Sequence, residues 1–232
     1  MGVRSYAHGM NIVLVHGGWA DGSGWRAIHD LLSERGFHVS IVQNPLTSFA
    51  DDVAAADRVV ARQEGATLLV GHAYGGAVIT QAGNAANVTG LVYVAAFVPD
   101  AGESVESLME DEPPAPLQPS ADGFLFFNPA FFPQIFAHDL TTAQGAFLAA
   151  SQLPPAAGAL GTPVSRAAWR SRPSWYVLAT EDRIIPPAVQ RRMATRARSV
   201  ITDVRASHAV YMSRPRAVAE TIAAAAHASL DK

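Results

Sequence analysis

Cysteine is absent from this 232-residue chain. That excludes disulfides, thiolate metal sites and a cysteine nucleophile together, and leaves the redox compartment open. Charge is scarce as well: charged residues make up 16% of the chain and the formal net charge is −3, with no long basic run. A nucleic-acid partner is therefore not expected. No apolar stretch reaches the roughly 18 residues of a membrane span, so no membrane partner is expected either. The opening segment, MGVRSYAHGM, lacks the apolar region of a secretory signal and reads as a ragged or tag-derived end. A cytoplasmic location is the expectation. There is no dinucleotide fingerprint after the first strand. His16, His72 and His208 lack the spacing and carboxylate companion of a zinc set. No cofactor and no metal are expected.

Apolar residues, by contrast, are plentiful at 49%. They suffice for the core of one large domain. NIVLV (11–15), HVSIV (38–42), TLLVGH (67–72), VTGLVYVAAFVP (88–99), SWYVLAT (174–180) and SVITDVR (199–205) read as strands. Between and after them, 24–36, 48–64, 74–86, 187–197 and 214–229 read as helices. Ser48 is placed to cap the second, and Asp51 and Asp52 lie in its first turn, where the helix dipole favours them. The alternation predicts an α/β fold: a mostly parallel six-stranded sheet with helices on both faces.

Residues 100–168 break that rhythm. Six of the fifteen prolines fall between 113 and 133, and seven of the ten phenylalanines between 124 and 147. An insertion this long between sheet strands usually has a function. It reads as a lid whose Phe124, Phe127, Phe131, Phe132 and Phe136, with Trp19 and His72, line an apolar pocket. No second sheet is evident in its pattern.

Gly71-His72-Ala73-Tyr74-Gly75 has the frame G-x-S-x-G of a nucleophile elbow, with alanine where the nucleophile belongs. The flanking glycines suit a strand that must turn into a helix within a few atoms. Two later segments supply partners. ATEDRIIPP (179–187) puts Asp182 at a strand's C-terminal end, with Glu181 and the earlier Asp100 as rival acids. SHAVYMSRP (207–215) puts His208 in a loop before the last helix. Nucleophile position, acid and histidine thus follow the order Ser…Asp…His. HGGW (16–19), after the first strand, offers the Gly18 amide. With the amide of Tyr74 it would form an oxyanion hole.

HGGWADGSGW, GHAYGG, ATEDRIIPP and SHAVYMSRP together resemble the landmarks of the α/β-hydrolase family, over essentially 11–229. The closer resemblance is to the compact branch of plant methylesterases, hydroxynitrile lyases and bacterial pyrethroid-hydrolase-like esterases. It implies a core of residues 1–99 and 169–232 with a lid of 100–168. It also implies a serine carboxylesterase acting on an apolar small-molecule ester through an acyl-enzyme, with Ala73, Asp182 and His208 at the catalytic positions. The hydroxynitrile lyases have lysine directly after the catalytic histidine, where this chain has Ala209. Alanine at position 73 fits either an engineered inactive form of a serine enzyme or a natural loss of the nucleophile, and the intact surroundings favour the first. The alternatives are a lactonase and a non-hydrolytic ligand-binding protein or cyclase on the same fold.

Overall fold

The computed structural model describes residues 10–230; the reading of the first nine residues lies outside them. β1 (Asn11–Val15) is buried throughout. A 3-10 turn, Gly22–Trp25, then leads into α1 (Arg26–Ser33). β2 (His38–Val42), α2 (Phe49–Val60), β3 (Thr67–His72), α3 (Gly75–Ala82) and β4 (Val88–Val94) follow in alternation. The Ser48 hydroxyl caps α2 by accepting from the Asp51 amide. The run predicted as one strand over 88–99 leaves the sheet after Val94. Ala95 takes a left-handed φ of 43°, which ends the ladder. The freed residues bond elsewhere: the Ala96 amide donates to the Tyr176 hydroxyl, and the Phe97 amide to the carbonyl of Ala73.

The 100–168 insertion contains α4 (Val105–Leu108), β5 (Leu117–Pro119), β6 (Leu125–Phe127), α5 (Phe132–Phe136), α6 (Thr142–Ala150) and α7 (Ala157–Gly161). β5 and β6 pair antiparallel as a small second sheet. Three-residue strands in a proline-rich stretch carry too little period to show in the sequence. The chain then completes the core with β7 (Ser174–Ala179), α8 (Pro187–Arg196), β8 (Val200–Val204), α9 (Val210–Ser213) and α10 (Pro215–Leu230). Among the described residues no helix is long and apolar enough to cross a membrane.

The main sheet has six strands in the order β2-β1-β3-β4-β7-β8. Every pair is parallel. Two apolar clusters cover its faces: one with α2, α3 and α8, the other with α1 and α10. The strand order reverses between β1 and β3, whose ends are in register at Val15 and Gly71. In an open parallel sheet the crevice at such a switch point, outside the carboxyl ends of the strands, is where ligands bind. The loops leaving β1 and β3 are HGGW and GHAYGG.

Candidate active site

Ala73 sits at the apex between β3 and α3 with φ 50°. An alanine rarely adopts this left-handed conformation, which costs on the order of 1 kcal/mol. Several contacts hold it there. Its amide donates to the Val94 carbonyl, and its carbonyl accepts from the Gly76 and Phe97 amides. A Cβ on Gly71 would lie 2.5 Å from the Gly75 carbonyl oxygen, and one on Gly75 would lie 2.5 Å from that of Val15. Backbone occupies both spaces, so only glycine fits. Gly71→Ala is expected to cost about 3 kcal/mol or more. Urea denaturation measures it, and a loss under about 1 kcal/mol would mean that the turn relaxes freely.

Asp182 and His208 meet on the loops that leave β7 and β8. His208 Nδ1 lies 2.8 Å from Asp182 Oδ2, with both side chains buried. Asp182 accepts three further bonds, from the amides of Ile184 and Ile185 and from the Gln190 side chain. A buried carboxylate so supplied with donors accepts from Nδ1–H, which leaves Nε2 as the free nitrogen of the His208 ring. No residue among those described bonds to that Nε2. The rival acids are committed at the surface. Glu181 pairs with Arg205, and Asp100 pairs with Arg170.

The predicted oxyanion amides, Gly18 and Tyr74, have no acceptor among the described residues. Their neighbours are firmly tied. His16 donates from Nδ1 to the Gly17 carbonyl, and its Nε2 accepts from the Asn44 amide. The Asn44 side chain returns a bond to the His16 carbonyl. Tyr74 donates its hydroxyl to Asp52, which also accepts from the Leu46 amide. Asp52 is therefore fully buried rather than only a favourable charge in the first turn of α2. Burial and the adjacent Asp52 charge push the Tyr74 phenol up and keep it a donor. The HGGW loop and the elbow are thus anchored to one segment, 44–52. The sequence does not single out Asn44, marks Asp52 only as a first-turn charge, and does not single out Gln190. A polar residue on the buried face of an amphipathic helix was the available signal for the last two.

His72 is enclosed by Trp25, Tyr211, Phe136 and His208. Its Nε2–H donates to the His208 carbonyl, and Nδ1 has no partner. Burial, reinforced by His208, pushes its pKa well below the ordinary value of 6.5. Burial also lowers that of His16. Both rings take up a proton less readily in the folded protein than in the unfolded chain, which protonates near pH 6.5. Stability is therefore full above about pH 7.5. It falls as the pH drops through 6.5, by up to about 1.4 kcal/mol per pH unit for each histidine. Urea midpoints compared at pH 7.5 and 5.5 test this. Equal midpoints would show that neither ring resists protonation.

The predicted pocket wall needs correction. Phe127, Phe132 and Phe136 are buried in a cluster of their own with Ala137, Ala149 and Ala209. The Phe136 ring meets the His208 ring edge-on at 4.8 Å. Phe131 is 50% exposed. Phe124 is partly buried and bridges to Ala156. Apolar side chains fill space rather than leave it empty, so these rings cover the site instead of lining a hollow. Of the residues predicted for the wall, only Trp19 borders a cavity of about 410 Å³ beside the site. Residues 134–139 also bond to the loops that carry Asp182 and His208. Phe136 and Gln134 carbonyls accept from the Ala209 amide and Arg183. His138 bonds to the Glu181 carbonyl, and Asp139 accepts from Ser207. Ala73 is left 5% exposed and His208 1% exposed.

A six-stranded parallel sheet with a glycine-framed elbow at its switch point defines a fold class. The model of the alpha/beta hydrolase family matches residues 12–221, and the chain belongs to that family. It is 27% identical over 251 residues to a pyrethroid hydrolase of Sphingobium wenxiniae, covering 92% of this chain and 86% of that one. It is 33% identical over 115 residues to a carbendazim hydrolyzing esterase of a Nocardioides species, covering 43% and 47%. The crystal structure of a pyrethroid hydrolase from Sphingobium faniae superposes with a TM-score of 0.81 at 24% identity, over 96% of this chain and 99% of that one. The protein is an alpha/beta hydrolase with esterase-type relatives.

Proposed function

We propose that this chain carries the frame of a serine carboxylesterase for apolar small-molecule esters, and that Ala73 leaves it able to bind but not to acylate. The observation that supports this reading most is the buried Asp182–His208 pair, 2.8 Å apart with Nε2 uncommitted. What sets His208 apart from the buried His16 and His72 is its carboxylate partner: His16 bonds to backbone at both nitrogens and His72 to a backbone carbonyl at one.

With a hydroxyl at position 73, the roles follow. The hydroxyl oxygen attacks the ester carbonyl while His208 Nε2 takes its proton. The Gly18 and Tyr74 amides bind the oxyanion. His208 then passes the proton to the departing alcohol. Water, activated in turn by His208, releases the acid. Asp182 holds the tautomer and stabilises the imidazolium. The 100–168 insertion acts as the lid. Its phenylalanines must move aside for the ester to enter and then exclude water from it.

The test is Ala73→Ser, assayed on aryl esters and on a lactone of similar size. Hydrolysis by the variant, with none by the parent, supports the reading. A folded but inert variant overturns it. Ligand binding or conversion by the alanine chain would then assign a non-hydrolytic receptor or cyclase.

A further inference from the structure

Asp139 lies in the 100–168 insertion, three residues after α5, with its side chain 11% exposed. Both of its carboxylate oxygens are engaged next to His208. One accepts from the amide of Ser207 and the other from the Ser207 hydroxyl. The same Ser207 oxygen accepts from the amide of Ala209. Asp139 thereby holds the residues on both sides of the histidine, one directly and one through Ser207. Arg214, 3.9 Å away, partly balances its charge.

A single hydrogen bond fixes a distance and leaves orientation open. Asp182 holds the His208 ring at Nδ1, but the direction of Nε2 also depends on where the main chain carries Cα. His208 sits in the loop 205–209 between β8 and α9. Around the histidine, the peptide groups of that loop turn to the insertion and to the elbow rather than to a neighbouring strand. The Ala209 amide donates to the Phe136 carbonyl as well as to Ser207, and the His208 carbonyl accepts from His72. The Phe136 ring adds an edge-on contact with the His208 ring. Of these holds on residues 207–209, only Asp139 uses an ionised side chain. Charge-assisted hydrogen bonds are about twice as strong as neutral ones. Two of them to one residue resist rotation as well as displacement.

We propose that Asp139 is a positioning residue for His208: the insertion supplies the carboxylate that fixes the main chain of the histidine, as Asp182 fixes its ring. Nε2 is then set from two points instead of one. A misplacement of about 1 Å at a reacting group costs on the order of 10²-fold in rate. That His208 is a base rests on the esterase reading, but the hold on its ring does not.

The first measurement therefore uses the Ala73 chain as it stands. Solvent exchange of the His208 Nδ1–H proton is followed by NMR, with the His16 Nδ1–H proton as reference. His16 is also buried, and its Nδ1 bonds to the Gly17 carbonyl. Asp139→Ala should speed exchange at His208 at least tenfold and leave His16 within twofold. A residue that only tied down the insertion would move neither proton, and one that only stabilised the whole domain would move both alike. If Asp139→Ala does not fold, Ser207→Ala, which removes one of the two bonds, repeats the measurement, with at least a threefold gain expected at His208 and none at His16. In the Ala73→Ser background, Asp139→Ala should lower kcat at least tenfold and keep KM within threefold. The proposal is overturned by a gain at His208 below these values, by an equal gain at His16, or by a smaller loss of kcat in an active Ala73→Ser chain. Ester hydrolysis by Ala73→Ser, with exchange at His208 indifferent to Asp139, removes this proposal and leaves the esterase reading standing. Selective exchange at His208 beside an inert Ala73→Ser chain keeps the hold on the ring and removes the esterase reading.

Discussion

Ala73→Ser raises hydrolysis of p-nitrophenyl acetate by roughly 10⁶-fold over the alanine chain, about 8 kcal/mol at the transition state. The expectation is large because only one atom is to be added. The apex backbone already stands at φ 50° and is fixed by hydrogen bonds from both the Gly76 and Phe97 amides. The Asp182–His208 pair is already formed, and the Gly18 and Tyr74 amides are uncommitted among the described residues. Such preorganisation is what distinguishes a latent site from a collapsed one. Stopped-flow release of p-nitrophenol should show a burst equal to the enzyme concentration, the mark of an acyl-enzyme. The alanine chain should bind the same ester with a similar affinity, since it lacks only an oxygen. Activity that stays within tenfold of the parent, in a variant with unchanged circular dichroism, would contradict the whole assignment of roles.

In that Ala73→Ser background, His208→Ala removes the gain again, by roughly 10⁶ in kcat, whereas Asp182→Asn removes roughly 10⁴. The difference has a structural cause. Without His208 no group accepts the hydroxyl proton. Without the Asp182 charge the ring remains, but its tautomer is no longer imposed. Asp182 accepts four hydrogen bonds, from Ile184, Ile185, Gln190 and His208. An asparagine there must turn its NH₂ toward either the two amides or the Gln190 and His208 donors. Each choice breaks bonds that the carboxylate accepted. Kinetics of the two double variants check the order of effects. Equal losses would mean that Asp182 does more than orient the ring, and a loss under tenfold for His208→Ala would show that the base is another group.

Much of this arrangement was legible in the chain because it is local. The six main-sheet strands read from short apolar runs, and the structure places strands within each of them. The elbow read from glycines whose spacing has a steric meaning, and Gly71 and Gly75 do face backbone atoms at 2.5 Å. Asp182 and His208 read from their place after strands. The insertion was less legible. Its aromatic richness was plain, but whether seven phenylalanines line a hollow or fill it depends on how they pack against each other. Phe132 and Phe136 stack on one another and Phe127 meets Phe132 edge-on, contacts that no periodicity announces. Asp52 is a similar case: its neighbour Asp51 accepts from the capping Ser48 hydroxyl at the surface, while Asp52 turns inward to Tyr74. Two adjacent carboxylates have opposite surroundings because they lie on different sides of one helix.

By itself, the sequence determined the order of the six main-sheet strands and the helices between them, the parallel sheet and the turn that holds position 73. These depend on residue type and spacing over a few neighbours, where sterics and burial act directly. Tertiary structure alone decided which histidine nitrogen is left free, that Phe127, Phe132 and Phe136 pack on one another beside His208, and that a cavity forms between Trp19, Asp21 and Tyr211. Those outcomes depend on contacts between segments such as 19–24, 127–148 and 207–212. Their distances are set by the packing of the whole domain rather than by any stretch of it.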